Sequence, residues 1–556
     1  MPVPSCSSRP VRSAGLLAAV ALAAGLGLTG PASPASAAPA VTAGAAAARL
    51  LTPAQVDRLV VDATAEQLAA LLREGRVTSL QLVRGYLRRI SAYEGAYGDQ
   101  PGVNAVILRM DAKATAEARV LDAERAAGRA RGPMHGIPVL VKDNYDLAGT
   151  ATSDGSLALK DFRPVDDSTQ VARLRAAGAV VIAKTNLHEF AYGITSISSL
   201  GGQTRNPFDQ TRNPGGSSGG TGAGLAAGFG AVGMGSDTCG SIRIPAAQNS
   251  LVGLRPTLGL SSRDGIAPMS ATQDVGGPIA RSVTDVAMVL DATVGYDVQD
   301  AVTAASIGKV PTTYTSSLSP TGLQGKRLGV LVDYLGTSAA EQPTTALVEA
   351  AAADMAAQGA TVERVAVPPA LLAAVAGSGV IAEEFERDLD RYLAQEGARF
   401  PASLAALEEP RDVVTLDDII TSGKVTPSVL AILRTVQGLS TGPQDAYVAK
   451  LLQRTQAQQL LRALFAAQGL DAVVYPTIKQ QAVPVGESQP GSNCALSANT
   501  GFPALSLPAG LTPQGMPVGV ELLGLPFSEP ALLAMGYDYE QATEHHLAPA
   551  STPALS

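Results

Sequence analysis

The sequence predicts an α/β protein, and three observations carry that expectation. Short apolar runs bounded by Gly or Pro recur along the chain and read as buried strands. Helical patterns alternate with them, most clearly where Val171–Gly178 reads as a helix stopped by Gly178 and Ala179–Ala183 as the strand that follows. The chain is also long, 556 residues of which 46% are hydrophobic and 16% charged, so a sizeable core is within reach. That length predicts three to four domains or one unusually large one.

Taken in order, the chain opens on a targeting signal. Arg9 and Arg12 precede an apolar run, Ala14–Leu28, and the small residues Ala35, Ser36 and Ala37 then form an A-x-A site. The run is shorter than the ~20 residues that span a bilayer. A secretory signal over 1–37 is expected, with a flexible leader over 38–60 and a mature protein found outside the cytoplasm. Cleavage would remove Arg9 and Arg12 and take the formal charge from −8 to −10. No later run is long enough to span a bilayer, so no stable membrane insertion is expected.

Thr64 with Gln67, and Thr78 with Gln81, have the capping-box spacing that opens helices. The second helix places Leu82, Val83, Tyr86 and Ile90 on one side. Val103–Met110 reads as a strand, Asp111–Ala127 as a helix and Ile137–Lys142 as a short apolar strand ending on a lysine. Gly222–Met234 is small and apolar, suited to a helix packed closely on a sheet. Leu328–Asp333, Asp471–Pro476, Ala504–Pro508 and Val518–Leu523 read as further strands. The expected organisation is a core over 61–310, a mostly helical insertion over 311–470 that contributes to a substrate pocket, and a return to the core over 471–550.

Composition excludes several functions. Three Cys cannot make a disulfide scaffold, and a net charge of −8 leaves no electrostatic footprint for nucleic acid. The informative bias is in glycine: residues 201–240 hold 13 of the 57 in the chain. A phosphate-binding loop would need a lysine there, and none occurs between Thr185 and Arg255. The glycines do not follow the spacing of a dinucleotide fingerprint. Gly216, Ser218 and Gly220 match a nucleophile elbow formally, but the only His residues after them are His545 and His546, close to the end of the chain. A histidine base is therefore not expected, and His135 and His188 read as structural. No metal-ligand spacing is present, and neither metal nor organic cofactor is expected.

What remains is a serine nucleophile with a lysine base. Lys142 ends an apolar strand, where burial disfavours its ammonium. The block Gly215–Ala246, the segment His135–Asn144 around Lys142, Asn206-Pro207, Gly253–Thr257 and Asn499–Ala504 together resemble the amidase signature family. The likeness covers roughly 60–300 and 470–550, and within the family the chain resembles peptide amidases and fatty-acid-amide-hydrolase-like enzymes.

The resemblance implies a large mixed twisted sheet covered on both faces by helices. It also implies a triad in which Ser241 is the nucleophile, Ser217, after a cis peptide bond from Gly216, the relay, and Lys142 the base. Backbone N–H groups of Thr238, Cys239, Gly240 and Ser241 would form the oxyanion hole, with Gly216, Ser218, Asp237 and Arg243 as structural support. The chemistry is coherent, because a neutral lysine accepts a proton and a hydroxyl both donates and accepts.

The expected activity is hydrolysis of small-molecule or peptide amides through an acyl-serine, acting on C–N bonds other than ordinary internal peptide bonds. The alternatives are a non-catalytic binding protein of the same fold and an amidotransferase-type subunit. The family has Gly or Ala where Cys239 stands, so either the loop uses ordinary backbone angles here or its geometry differs. Cys239 and Cys494 are the two cysteines of the mature chain, either disulfide-bonded or two free thiols.

Overall fold

The computed structural model describes residues 49–399, 404 and 414–555. The signal segment 1–37 and its A-x-A site lie outside the described residues. The flexible leader expected over 38–60 is corrected where it falls on described residues. Pro53–Leu59 is a helix, opened by a capping box between Thr52 and Gln55 and packed through buried Val56. The capping boxes at Thr64 and Thr78 open the helices Ala65–Arg73 and Ser79–Tyr93 as expected.

Thirteen strands are present among the described residues. They are β1 Val106–Arg109, β2 Pro138–Lys142, β3 Val180–Thr185, β4 Ile197–Ser198, β5 Gly202–Gln203, β6 Val232–Asp237, β7 Val252–Arg255, β8 Val275–Ala280, β9 Arg327–Leu331, β10 Thr361–Val365, β11 Ala472–Pro476, β12 Ala504–Leu511 and β13 Pro517–Leu523. Eleven form one mixed sheet in the order β1-β3-β2-β6-β8-β7-β12-β13-β11-β9-β10, and β4 and β5 pair separately. Helices flank the sheet, and this is the α/β architecture that the sequence predicts.

Within it β2 and β6 run parallel, with Val141 opposite Met234. Both are buried on both faces, which explains their unbroken apolar or small-residue runs. The parallel register brings their C-terminal ends, Lys142 and Asp237, to the same edge of the sheet, where open α/β sheets place their ligands.

Gly222–Met234 is not a single helix. The helix spans Gly219–Ala226 and gives way to β6 at Val232. Phe229 N–H closes the turn on Gly224 O, and Val232–Asp237 is held between β2 and β8. The helix lies so close to the end of β3 that a Cβ on Gly220 would stand 2.3 Å from Asn186 O. That approach is what the local glycine richness permits.

The segment 311–470 supplies two strands of the main sheet, β9 and β10, before becoming helical from Pro369 to Gln468 among the described residues. Its helix Ile381–Leu393 packs Phe385, Leu389 and Tyr392 against Phe162 and Phe190 of the core. The acidic face of this helix is not solvated. Glu384 accepts hydrogen bonds from Ser270 Oγ (2.5 Å) and Thr272 N (3.0 Å), and Asp388 accepts one from Ala271 N (2.7 Å). These carboxylates clamp the helix onto the loop 270–274, which borders the site described next. Among the described residues, no helix is long and apolar enough to cross a membrane.

Candidate active site

Lys142, at the C-terminal end of β2, is fully buried. Its Nζ donates to Ser217 Oγ and to Ser236 Oγ, each at 2.8 Å. The neighbouring buried lysine shows what this arrangement is not. Lys184 Nζ pairs with the Asp143 carboxylate at 2.9 Å and donates to Ala151 O. Lys142 meets hydroxyls instead. Among the described residues no carboxylate contacts it directly, so its proton is not locked in an ion pair. Burial lowers its pKa from the ordinary lysine value, and the charges of Asp154, Asp274 and Asp237 oppose that shift only in part. Burial likewise pushes the Asp154 carboxyl above its usual range.

Ser217 follows a cis peptide bond from Gly216 and is fully buried. Its carbonyl accepts from His188 N (3.0 Å) and Ser196 Oγ (3.2 Å). Ser196 also donates to Gly215 O and accepts from Gly219 N, so one hydroxyl holds three points of the glycine loop. The Ser218 Oγ donates to Ser236 O (3.3 Å) and its N–H to Ser241 O (3.2 Å). That last bond joins the loop of Ser217 to the loop of Ser241. The Ser241 hydroxyl makes no hydrogen bond among the described residues, and Lys142 and Ser217 are the pair of the expected triad seen in direct contact.

The loop 238–241 is built on a buried ionic network. Asp237 takes Arg243 Nε and Arg255 Nη1, each at 3.0 Å, and Arg243 Nη1 reaches Glu521 Oε1 at 2.5 Å. Tyr475 OH also donates to Glu521 Oε1 (2.6 Å). Burial alone would raise the Asp237 pKa, but the two guanidiniums outweigh it and hold the carboxyl well below its usual range. Asp237 turns the chain by accepting from Gly240 N (2.7 Å) and Ile242 N (3.2 Å). This corrects one expectation: the Gly240 N–H is engaged by Asp237 and is not free for an oxyanion. The N–H groups of Thr238, Cys239 and Ser241 make no hydrogen bond among the described residues. Gly240 adopts φ +89°, whereas Cys239 keeps ordinary negative φ, so a side chain is tolerated at that position. Cys239 is bonded to Cys494 as a disulfide.

Two expected outcomes follow from this geometry. Ser217→Ala removes the direct partner of Lys142 but leaves the nucleophile and the loop amides. It should lower kcat/KM by about 10²–10⁴-fold, the range of a general acid–base step, and less than loss of Ser241. Steady-state kinetics on the two variants checks the order. Arg243→Ala leaves Arg255 on Asp237 but strips Glu521 of its ion-pair partner. An uncompensated buried charge costs about 3–5 kcal/mol, and denaturant unfolding should show a loss of that size.

Sequence reasoning does not single out Ser236, Asn144, Ser196, Arg255 or Glu521. Asn144 Nδ2 donates to Ser236 Oγ at 2.9 Å and so fixes the second hydroxyl on Lys142. Ser236 lies one residue before Asp237, so the two side chains take opposite faces of β6, and that alternation is the signal available for it. His188 is close by, but its ring meets Thr195, and burial depresses its pKa to about 4. His135 bonds Leu121 O and is remote from this chemistry.

A cavity of about 210 Å³ opens beside the pair, from Ser236 and Thr238 outward between Ile266, Met269 and Tyr392. Arg263 and Arg391 also line it. Among the described residues no group of three His, Cys, Asp or Glu side chains is arranged to hold a metal ion.

The Amidase family model matches residues 81–533. A glutamyl-tRNA(Gln) amidotransferase subunit of Moorella thermoacetica is 37% identical over 495 residues, covering 87% of this chain and 97% of that protein. The solved structure of native peptide amidase from Stenotrophomonas maltophilia is 39% identical with a TM-score of 0.76, covering 88% of this chain and 98% of that one. The solved glutamyl-tRNA(Gln) amidotransferase subunit of Thermotoga maritima is 25% identical with a TM-score of 0.65, covering 87% and 95% of the two chains. A family model spanning most of the chain, on an eleven-stranded sheet that brings Lys142 onto Ser217, shows that this protein belongs to the amidase signature family.

Proposed function

We propose that this protein hydrolyses carboxylic amides through an acyl-Ser241 intermediate. The observation that carries the reading is the buried Lys142 Nζ donating to Ser217 Oγ at 2.8 Å, with no carboxylate among the described residues in direct contact. With Lys142 neutral, Ser217 passes its proton to Nζ and takes the proton of Ser241, whose oxygen attacks the amide carbon. The developing oxyanion is met by the free amides of Thr238, Cys239 and Ser241. The lysine then returns the proton through Ser217 to the leaving nitrogen. Ammonia or an amine departs, and water, deprotonated by the same relay, cleaves the acyl-enzyme. The cavity beside Ser236 and Thr238, walled by Tyr392 of the helical segment, takes part of the substrate.

Two finer readings share this chemistry. In the first the chain is a self-sufficient hydrolase working outside the cytoplasm. The likeness to peptide amidase, the signal-like residues before Ala38 and the Cys239–Cys494 disulfide support it, since disulfides persist in oxidising compartments. In the second it is an amidotransferase component that passes ammonia from an amide to a partner-bound acceptor. Judged by sequence relatives alone, this reading has the stronger support.

The test is ammonia or amine release by the isolated chain from a panel that contains C-terminally amidated peptides, aryl and alkyl amides, and glutamine. Turnover of peptide or aryl amides without any partner supports the hydrolase. Turnover confined to glutamine and dependent on added partner subunits supports the amidotransferase. Release from none of them would contradict the amide chemistry itself.

A further inference from the structure

The loop that carries Ser241 is fastened to the C-terminal part of the chain at several points. Cys239 and Cys494 form a disulfide with their Cα atoms 5.0 Å apart, across 255 residues of sequence. Cys494 caps the short helix Ala495–Thr500. Arg243 Nη2 donates to Cys494 O at 3.4 Å. Gln273 Nε2 donates to Thr238 O at 3.3 Å and to Asn499 Oδ1 at 3.1 Å. The disulfide is the link that reaches the middle of the loop. It also lies close against the loop backbone: a Cβ on Gly240 would stand 3.0 Å from the Cβ of Cys494.

The hydrogen bonds of the loop are unevenly distributed. Asp237 holds the amides of Gly240 and Ile242. The amides of Thr238, Cys239 and Ser241 donate to nothing among the described residues, and the peptide planes of the last two are held through their carbonyls, Thr238 O by Gln273 Nε2 and Gly240 O by Ile244 N (2.7 Å). An oxyanion donor works only when it is already aimed, about 3 Å from where the charge develops. The cystine adds a covalent constraint at the Cα of Cys239, between these two peptide planes. Both of its residues are half-buried, so a small dithiol can reach them.

We propose that the Cys239–Cys494 disulfide is a positioning element for the oxyanion loop, and that its reduction lowers turnover while the fold persists. The proposal rests on the acyl-Ser241 reading. A dithiol such as dithiothreitol supplies two electrons and two protons. The S–S bond becomes two thiols, and the reagent closes to its own cyclic disulfide. Asp237 and its arginines stay in place, so the loop keeps its turn and loses only the hold on Cys239. Removal of one oxyanion donor costs about 10²–10³-fold in kcat, and loosening donors without removing them costs less, about tenfold. Because the effect is on the transition state, KM should move little.

The experiment compares the oxidised full-length protein with the same protein after dithiothreitol and after reoxidation. It reads kcat and KM on an amide substrate, the rate of labelling by a fluorophosphonate, and far-UV circular dichroism. Alkylation and mass spectrometry establish that both thiols were free. The expected result is a reversible fall in kcat and in labelling rate with an unchanged spectrum. A Cys239→Ala/Cys494→Ala variant should show the lowered kcat from the start and no response to the dithiol. If that variant does not fold, the reversible comparison on the natural protein still decides. Equal kcat in the oxidised and fully reduced protein would overturn the proposal, as would loss of the spectrum in step with activity, which would assign the bond a global structural role. Failure of the underlying reading looks different: the oxidised protein would then take no label at Ser241.

Discussion

Ser241→Ala is expected to remove turnover and covalent labelling while the fold stays intact. Among the described residues the Ser241 hydroxyl makes no hydrogen bond, so its removal leaves no orphaned partner and only a small loss of packing. The same hydroxyl belongs to a loop in which three amides, its own and those of Thr238 and Cys239, make no hydrogen bond among the described residues and can receive a negative charge. Loss of a nucleophile removes the acyl-enzyme route altogether, and in comparable triads costs about 10⁴–10⁶-fold. Circular dichroism and thermal unfolding close to wild type, with kcat/KM at background, is the predicted outcome. A folded Ser241→Ala protein with substantial turnover would show that the acyl group is carried elsewhere.

Lys142→Ala has the second-largest expected effect, and it is read in the pH profile as well as in the rate. Only neutral lysine accepts the proton from Ser217, so activity rises as pH rises through the Lys142 pKa. Burial lowers that pKa, which moves the rising limb to lower pH than the ordinary lysine value of about 10.4. The limb should still lie above the histidine reference of about 6.5. His188, its pKa depressed to about 4, is neutral throughout this range and contributes no limb there. The variant should lose about 10²–10⁴-fold in kcat/KM and its profile should be flat where the wild type rises. A wild-type plateau already reached below neutrality, or a limb unchanged in the variant, would take Lys142 out of the mechanism.

Much of the architecture is legible in the sequence because it is local. The capping boxes at Thr64 and Thr78 need only four residues each, and the apolar runs of β2, β3, β11 and β13 report strands buried on both faces. The Lys142–Ser217 pairing is implied by family likeness rather than by spacing, since the two residues lie 75 positions apart. β8 is hidden because Gly276, Gly277 and Pro278 argue locally against a strand, and only pairing with β6 and β7 overrides them. The second half of Gly222–Met234 reads as helix because small residues suit both a close-packed helix and a buried strand. Ser236 and Glu521 carry little local signal, and their roles exist only once the sheet is assembled; that of Ser196 exists only once the glycine loop 215–219 folds against it. The disulfide is one of two alternatives in the sequence, and the fold decides between them by placing Cys494 beside the oxyanion loop.

The most direct test of the central claim is the site of covalent capture. The oxidised protein is treated with a fluorophosphonate, digested, and the adduct located by tandem mass spectrometry. The account predicts a single adduct on Ser241, formed faster as pH rises through the Lys142 transition and formed far more slowly in Lys142→Ala. An adduct on Ser217, Ser218 or Ser236, or a protein that hydrolyses amides yet takes no label, would contradict it.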